Sequence, residues 1–278
     1  MIFCRHIPAE PLARYVDWLW FFQDITPAHR REHVLPDGTF ELIIDLRDEP
    51  RRLFHRTDAA RDKFFRGGWI SGTHSRYITI DVRAHASMIG VHFKAGGAAA
   101  ILGMPADVLR DQVVELDAIW GGDAGDLRER LLEARTPETK FSIFEQFLLR
   151  RLRATAADRL AADRVFWARD RFIQNAENAN VRSVVDQLGI SHKHFIDQFR
   201  RHVGLTPKLF CRIQRFQQVL SQLNARRTIE WADVACSCGY FDQAHFVHDF
   251  QEFSGLNPTT YASAAPEYSN FVPVDERR

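Results

Sequence analysis

Six residues recur at a constant offset of 51 within the last hundred positions of this 278-residue chain: His194 and His245, Phe195 and Phe246, Phe199 and Phe250, Gly204 and Gly255, Leu205 and Leu256, Pro207 and Pro258. Self-similarity at a fixed spacing signals a duplicated supersecondary unit and restricts the fold more than any composition figure. Upstream, Leu188-Gly189-Ile190 aligns with Cys238-Gly239-Tyr240 if the second copy carries one more residue in its turn, since Gly189 to Phe199 is ten steps and Gly239 to Phe250 is eleven.

Each copy reads as a helix, a turn and a second helix. In the first, Val181, Val184, Val185 and Leu188 make one apolar stripe, Gly189 permits the left-handed turn that ends the helix, and Ser191 caps the next. Phe195 and Phe199, four apart, seat the second helix on the first. The second copy repeats the plan with Ile229, Val234, Ala235 and Cys238, a turn at Gly239, a cap at Asp242, and Phe246 with Phe250. A helix from Pro207 to Leu223 joins them, with Phe210, Ile213, Gln214, Val219 and Leu220 available for packing.

The strings GISHKHFIDQFRRHVGLTP and CGYFDQAHFVHDFQEFSGLNP resemble the two halves of the AraC/XylS-type DNA-binding domain, over about residues 160 to 262. More weakly, the LPDG turn at Leu35 to Gly38 and the run GVHFKAGGAAAILGMPA before DAIWG resemble amino-terminal sensor regions of such regulators. The resemblance implies two recognition helices in neighbouring major-groove segments of promoter DNA. It places Lys193, Ile196 and Asp197 on the groove side of the first, with Ser191 at its start, and Gln243, Ala244, Val247 and His248 on that of the second. Lys donates to guanine acceptors, Gln pairs with adenine, and Ala or Val touches a thymine methyl. The family more often has Ser and Arg at the positions of Ile196 and Asp197, and Arg at that of His248. His194 and His245 are either phosphate contacts, as the family uses the second of these positions, or packing residues; Ile196 is either a base contact or part of a buried helix face.

The overall charge of +1 says nothing about nucleic acid, but its distribution does. Between Val181 and Arg227 lie nine basic residues (Arg182, Lys193, Arg200, Arg201, Lys208, Arg212, Arg215, Arg226, Arg227) and two acidic ones (Asp186, Asp197); from Thr228 to Tyr261 there are five acids and no Lys or Arg. Phosphate neutralisation supplies most non-specific affinity, so the first unit is expected to anchor on DNA through Arg200, Arg201, Lys208, Arg212 and Arg215, and the second to contribute little charge. The acidic second unit also suits a protein partner, such as RNA polymerase or the front domain.

The front of the chain reads differently. Residues 40–46 alternate after the turn Pro36-Asp37-Gly38, and Trp69 to Ser71, Tyr77 to Val82 and Ser87 to Phe93 are further short runs that suit strands. An aromatic-rich helix is predicted around Leu12 to Phe22. Helical signal follows Phe93: Ala98 to Leu102, a stretch near Ala106 to Ile119, Leu127 to Ala134, Lys140 to Arg153, and roughly Asp163 to Ala176. The predicted class is α+β: a mainly β amino-terminal sheet or barrel with a helical connector (1–157), an all-α domain with two helix-turn-helix units (158–265), and a tail (266–278).

Trp18, Phe22, Phe40, Trp69 and Phe93 form a candidate pocket for an apolar or aromatic small-molecule effector, with core packing as the ordinary alternative. Cys236-x-Cys238 has no second pair nearby and reads as packing rather than zinc, and His55, His74, His85 and His92 lack the close spacing that sets two ligands on one strand. Lys94-Ala95-Gly96-Gly97 suits either an anion at a helix start or a plain glycine turn. No metal, no cofactor and no catalytic constellation is expected. The longest apolar runs fall short of a membrane span, the opening MIFCRHIPAEP lacks a basic-then-apolar leader, and four scattered cysteines suit reduced thiols, so a cytoplasmic protein that does not engage membranes is expected. The leading expectation is a transcription regulator acting on double-stranded promoter DNA, with a small-molecule effector, RNA polymerase and a second copy as further partners. A β-barrel enzyme with a DNA-binding tail, or an interaction module, is the alternative.

Overall fold

A computed structural model describes residues 2–25, 27–152, 156–225, 230–264 and 266–274. Arg153, Arg226, Arg227 and Ile229, named above, lie outside the described residues. The strands are β1 (Ile2–His6), β2 (Val16–Ile25), β3 (Arg31–Val34), β4 (Glu41–Asp45), β5 (Arg51–Phe54), β6 (Lys63–Phe65), β7 (Gly68–Ser71), β8 (Ile78–Asp81), β9 (Ala86–Phe93), β10 (Val113–Glu115) and β11 (Phe271–Pro273). The helices are α1 (Ala98–Leu102), α2 (Asp117–Trp120), α3 (Gly122–Glu133), α4 (Pro137–Arg151), α5 (Ala156–Gln174), α6 (Val181–Leu188), α7 (His192–Val203), α8 (Pro207–Ala225), α9 (Trp231–Ser237), α10 (Gln243–Ser254) and α11 (Pro258–Ala264).

The strands form two open antiparallel sheets rather than a closed barrel, in the orders β1-β2-β9-β4-β7-β10 and β11-β3-β8-β5-β6. In the first sheet Leu19, Phe21, Leu42, Ile44, Ile70, Ile89 and Val91 are buried in one cluster with Ile101, Leu127, Leu131, Phe141, Phe144 and Leu148 of α1, α3 and α4. The helices thus cover one face, as an amphipathic sheet requires. Lys140 tightens that layer: its buried ammonium donates to the carbonyls of Leu131 and Ala134 at the end of α3.

Two elements differ from expectation. The aromatic segment predicted as a helix is a 3₁₀ turn at Leu12–Arg14 followed by β2. The run Trp18-Leu19-Trp20-Phe21-Phe22 is apolar at both the helical and the strand period, so periodicity does not decide it. The bulky aromatics pack on a pleated surface between β1 and β9, with Leu19 and Phe21 facing the core. The stretch expected to be helical near 106–119 breaks into a 3₁₀ turn (Ala106–Leu109), β10 and α2. Asp111 takes a positive φ there, and the β-branched Val113 and Val114 extend the sheet beside β7.

Among the described residues the back of the chain builds only helices up to residue 264, and its core runs into the front. Helix α5 gives Ala162 and Phe166 to the front cluster and Val165, Ala168 and Phe172 to the rear one, which also takes Leu35 and Ala95. The residues read from sequence as a tail supply β11, which pairs with β3 in the register Phe271 to Val34, Val272 to His33 and Pro273 to Glu32. Val272 is fully buried in the rear core. The LPDG turn sits against α8: Gln214 and Gln217 donate to the carbonyls of Asp37 and Pro36 at 2.7 and 2.8 Å. Gly38 has φ +86°, and a Cβ there would stand 2.8 Å from the Phe210 ring. Turn geometry and close approach both require glycine.

Candidate nucleic-acid interface

Both repeat units fold as helix-turn-helix. α6 ends at Gly189 (φ +64°), and Ser191 then caps α7 by accepting from the His194 amide at 3.3 Å. α9 leads into Gly239 (φ +75°), and Asp242 caps α10 by accepting from the His245 amide at 2.7 Å. Phe195 and Phe199 of α7 are fully buried, with rings 5.6 Å apart; Phe246 and Phe250 of α10 are buried with rings 5.8 Å apart. These pairs point each second helix inward along one stripe and leave the opposite face in water. On α7 that face carries Lys193, His194, Ile196, Asp197, Arg200 and Arg201; on α10 it carries Gln243, Ala244, His245 and His248, with Val247 half-buried beside them.

Not every basic residue is placed for phosphate. Arg212 on α8 reaches across to α10, where its guanidinium donates to Asp249 at 2.7 Å and Glu252 at 2.7 Å. Asp249 is buried, and His245 and His248 also approach it, at 3.8 and 3.7 Å. This cluster ties the linker helix to the second recognition helix. Arg215 lies over the Tyr240 ring at 5.3 Å. Arg200 pairs with Asp107 of the front domain at 3.1 Å while remaining about half exposed. Arg182, Lys193, Arg201 and Lys208 are exposed. The contrast in charge between the units therefore has an internal part: two of the acids of the second unit serve an arginine of α8. Among the described residues, His248, Asp249 and Glu252 bring ligand atoms within 4.8 Å of one another, but Arg212 already supplies the cation there, and the histidines at 55, 74, 85 and 92 join no such group. Cys238 is buried beneath its turn and Cys236 is exposed.

The front domain holds the recognition helices by their carboxy-terminal ends. At α7, Gly204 lies so close to Thr73 and Ala106 that a Cβ would overlap the Thr73 hydroxyl. At α10, the Tyr77 amide donates to the Phe253 carbonyl at 3.1 Å, His33 Nδ1 donates to the Ser254 carbonyl at 3.1 Å, and Arg76 faces Glu252 at 3.6 Å. Both helix starts, where the exposed Lys193 and Gln243 sit, are left free of these contacts.

The proposed pocket residues divide. Phe40 and Phe93 are buried in the sheet core. Trp18, Phe22 and Trp69 are half-buried, and strand register puts them on the opposite face of the first sheet, in line with Trp20, Ile43, Glu41 and His92. This face turns towards the second sheet, to which it is joined by the buried Asp45–Arg51 pair at 2.6 Å and by the Phe65 and Trp69 rings at 6.2 Å. At its centre Trp18 is stacked between His92, at 4.2 Å, and the Arg5 guanidinium, at 3.9 Å. Glu41 accepts from Trp20 Nε1 and, at 2.5 Å, from His92 Nδ1. Burial opposes a charge on His92, but Glu41, with Asp37 and Asp17 beyond, overrides it and raises the pKa to about 9. Nearby His74 is held neutral: burial outweighs Asp111 and Asp37 and lowers its pKa to about 4, with Ser71 Oγ 2.8 Å from Nε2. Sequence reading did not find the His92–Glu41 pair, although both stand in strand-like segments. Only the register of β4 and β9 makes them neighbours.

Two helix-turn-helix units joined by one long helix, each with an exposed polar face on its second helix, define a DNA-binding module. Residues 184–264 match the family model of a helix-turn-helix domain, and residues 4–115 that of a domain of unknown function, DUF6597. The chain thus carries a helix-turn-helix domain, the DNA-binding module that its two repeat units build. No curated protein matches it by sequence. Among solved structures it is similar to ToxT from Vibrio cholerae (9% identity, TM-score 0.47, covering 95% of this chain and 98% of that one). It is also similar to the carboxy-terminal domain of AraT, a response regulator from Geobacillus stearothermophilus (17% identity, TM-score 0.35, covering 41% of this chain and 90% of that one).

Proposed function

We propose that the chain binds promoter DNA through α7 and α10 and that a small apolar or aromatic effector, held on the half-buried face of Trp18, Trp20, Phe22 and Trp69, sets how firmly it does so. The observation that carries this is the mode of domain contact. The front domain grips both recognition helices at their ends, so a shift between its sheets reaches both units at once. An effector acts only if it binds one arrangement better than the other. Lys193, Ile196, Asp197, Arg201 and Lys208 then serve the first half-site, Gln243, Ala244, Val247 and His248 the second, while Arg212 and Arg215 hold the module together.

The reading makes the chain a cytoplasmic, non-enzymatic regulator, with contacts to RNA polymerase and to a second copy as part of its action. Among the described residues no helix is long and apolar enough to cross a membrane. The test is genome-wide mapping of bound DNA, followed by footprinting of a recovered site. Protection of two adjacent major-groove segments is expected. Protection of one alone would confine DNA binding to the first unit, and none would remove the reading. A thermal-shift screen of aromatic and apolar compounds, repeated with Trp18→Ala and Trp69→Ala, tests the effector face; ligands that stabilise these variants as much as the parent chain bind elsewhere.

A further inference from the structure

The second unit contains one more turn residue than the first, and the structure shows where it goes. In the first unit Gly189 is followed by half-buried Ile190 and then the cap Ser191. In the second, Gly239 is followed by Tyr240, which is buried with its ring 5.4 Å from Phe246 and takes the inward place. The residue left over before the cap Asp242 is Phe241, and it is 94% exposed, more than any other large apolar side chain among the described residues.

Single exposed apolar residues are common and need no explanation by themselves. Phe241 differs in its setting. It adjoins the amino-terminal start of α10, the end free of front-domain contacts, next to Gln243, Ala244 and Val247. A hydrophobic residue just before an N-cap ordinarily folds back onto the first turn of its helix; here Tyr240 does so, and Phe241 points away into water. The unit it belongs to has no Lys or Arg from Thr228 to Tyr261, so it cannot hold DNA by neutralising phosphates with cationic side chains. What it offers the major groove is one amide, histidines and apolar surface. In that groove thymine alone presents a methyl group, and adenine pairs bidentately with an amide side chain.

We propose that Phe241 is a specificity-determining residue that packs on thymine C5-methyl groups, so that the second unit selects an A·T-rich half-site by apolar contact while the first unit supplies the charge. This rests on the DNA-binding reading above. Gln243 reads adenine in the same half-site, and Ala244 and Val247 extend the apolar contact. The first unit has neither the extra residue nor an equivalent aromatic.

The experiment uses the full chain and a duplex it selects from a randomised pool. Thymines in the half-site protected by the second unit are replaced one at a time by deoxyuridine, which removes only the methyl. One or two positions are expected to lose affinity about four-fold each, the scale of one buried methyl-sized group. In Phe241→Ala the same replacements have no effect, Phe241→Leu restores part of the loss, and the salt dependence of binding is unchanged. Because Phe241 lies in water, its truncation leaves the core untouched, and circular dichroism checks this. Equal losses in the parent chain and Phe241→Ala overturn the proposal, as does a parent chain indifferent to deoxyuridine. Unaltered DNA binding by Phe241→Ala, with loss of activation in a transcription assay, also overturns it and makes Phe241 a protein contact. Failure to select any duplex instead removes the DNA-binding reading on which it rests.

Discussion

Replacing Arg212 by Gln separates a structural arginine from a DNA-binding one. In the structure its guanidinium bonds Asp249 and Glu252, and the Asp249 side chain is only 2% exposed. Removing one partner of a buried pair costs about 3–5 kcal/mol, because the remaining charge stays out of water without the cation that balanced it. Arg212 keeps 28% of its side chain exposed, which softens the loss, so the lower end, about 3 kcal/mol, is expected. For a protein of this size that lowers the melting midpoint by roughly 5 °C. Asp249→Asn in the same background should recover part of the stability, giving a coupling of at least ~1 kcal/mol in a double-mutant cycle. DNA affinity measured by fluorescence anisotropy across a salt series, below the variant's melting range, should keep the parent slope. Arg201→Gln should instead leave the midpoint unchanged and reduce the slope by about 0.9, the value of one lost phosphate contact. An Arg212→Gln protein with an unchanged midpoint and a slope reduced by that amount would refute the reasoning and return Arg212 to the DNA surface.

The two half-buried histidines His74 and His92 of the front domain predict a stability maximum near pH 6.5. His92, raised to about 9, contributes on the order of 3 kcal/mol that is complete below its unfolded value and disappears as pH rises through 9; Glu41→Gln should abolish this alkaline decline in urea titrations. His74, lowered to about 4, costs stability as pH falls from 6.5 towards 4, and His74→Asn should flatten that limb. Gly189→Ala meets nothing within 4 Å and should cost only about 1–2 kcal/mol of left-handed strain, whereas Gly239→Ala overlaps the Glu177 carbonyl and should lose several times more by denaturant unfolding. Asp107→Asn frees Arg200 from an exposed ion pair; stability should change by less than ~1 kcal/mol and DNA affinity should rise by up to about five-fold, and an unchanged affinity would show that Arg200 takes no part in binding.

What the sequence disclosed was local. Turn glycines, helix caps and phenylalanines four apart act within a dozen residues, so both helix-turn-helix units were readable in order, together with β4, β7, β8 and β9 among the strands. Where an apolar run had no polar alternation, as at Trp18 to Phe22, period could not separate strand from helix, and the neighbours β1 and β9 decided it. The candidate interface was legible to the same degree. Lys193, Gln243 and their neighbours are exposed as helical spacing requires, but Arg212 looked like any other surface cation because its partners lie 37 and 40 residues ahead. The pocket candidates show the same limit: Phe40 and Phe93 are as aromatic as Trp18 and Trp69, and only pleat register assigns them to opposite faces.

Strand β11 adds a matter of timing. Residues 271–273 leave the ribosome after both helix-turn-helix units, yet they complete the edge of a sheet whose other strands were all made in the first third of the chain. Until they arrive, β3 presents open backbone donors and acceptors, the kind of edge that recruits strands from other chains. A nascent chain therefore carries an adhesive front domain through the whole synthesis of its DNA-binding half. The two halves can be drawn apart on paper but mature as one, and a version cut short after α11 would be expected to aggregate through its first domain rather than simply lack a tail.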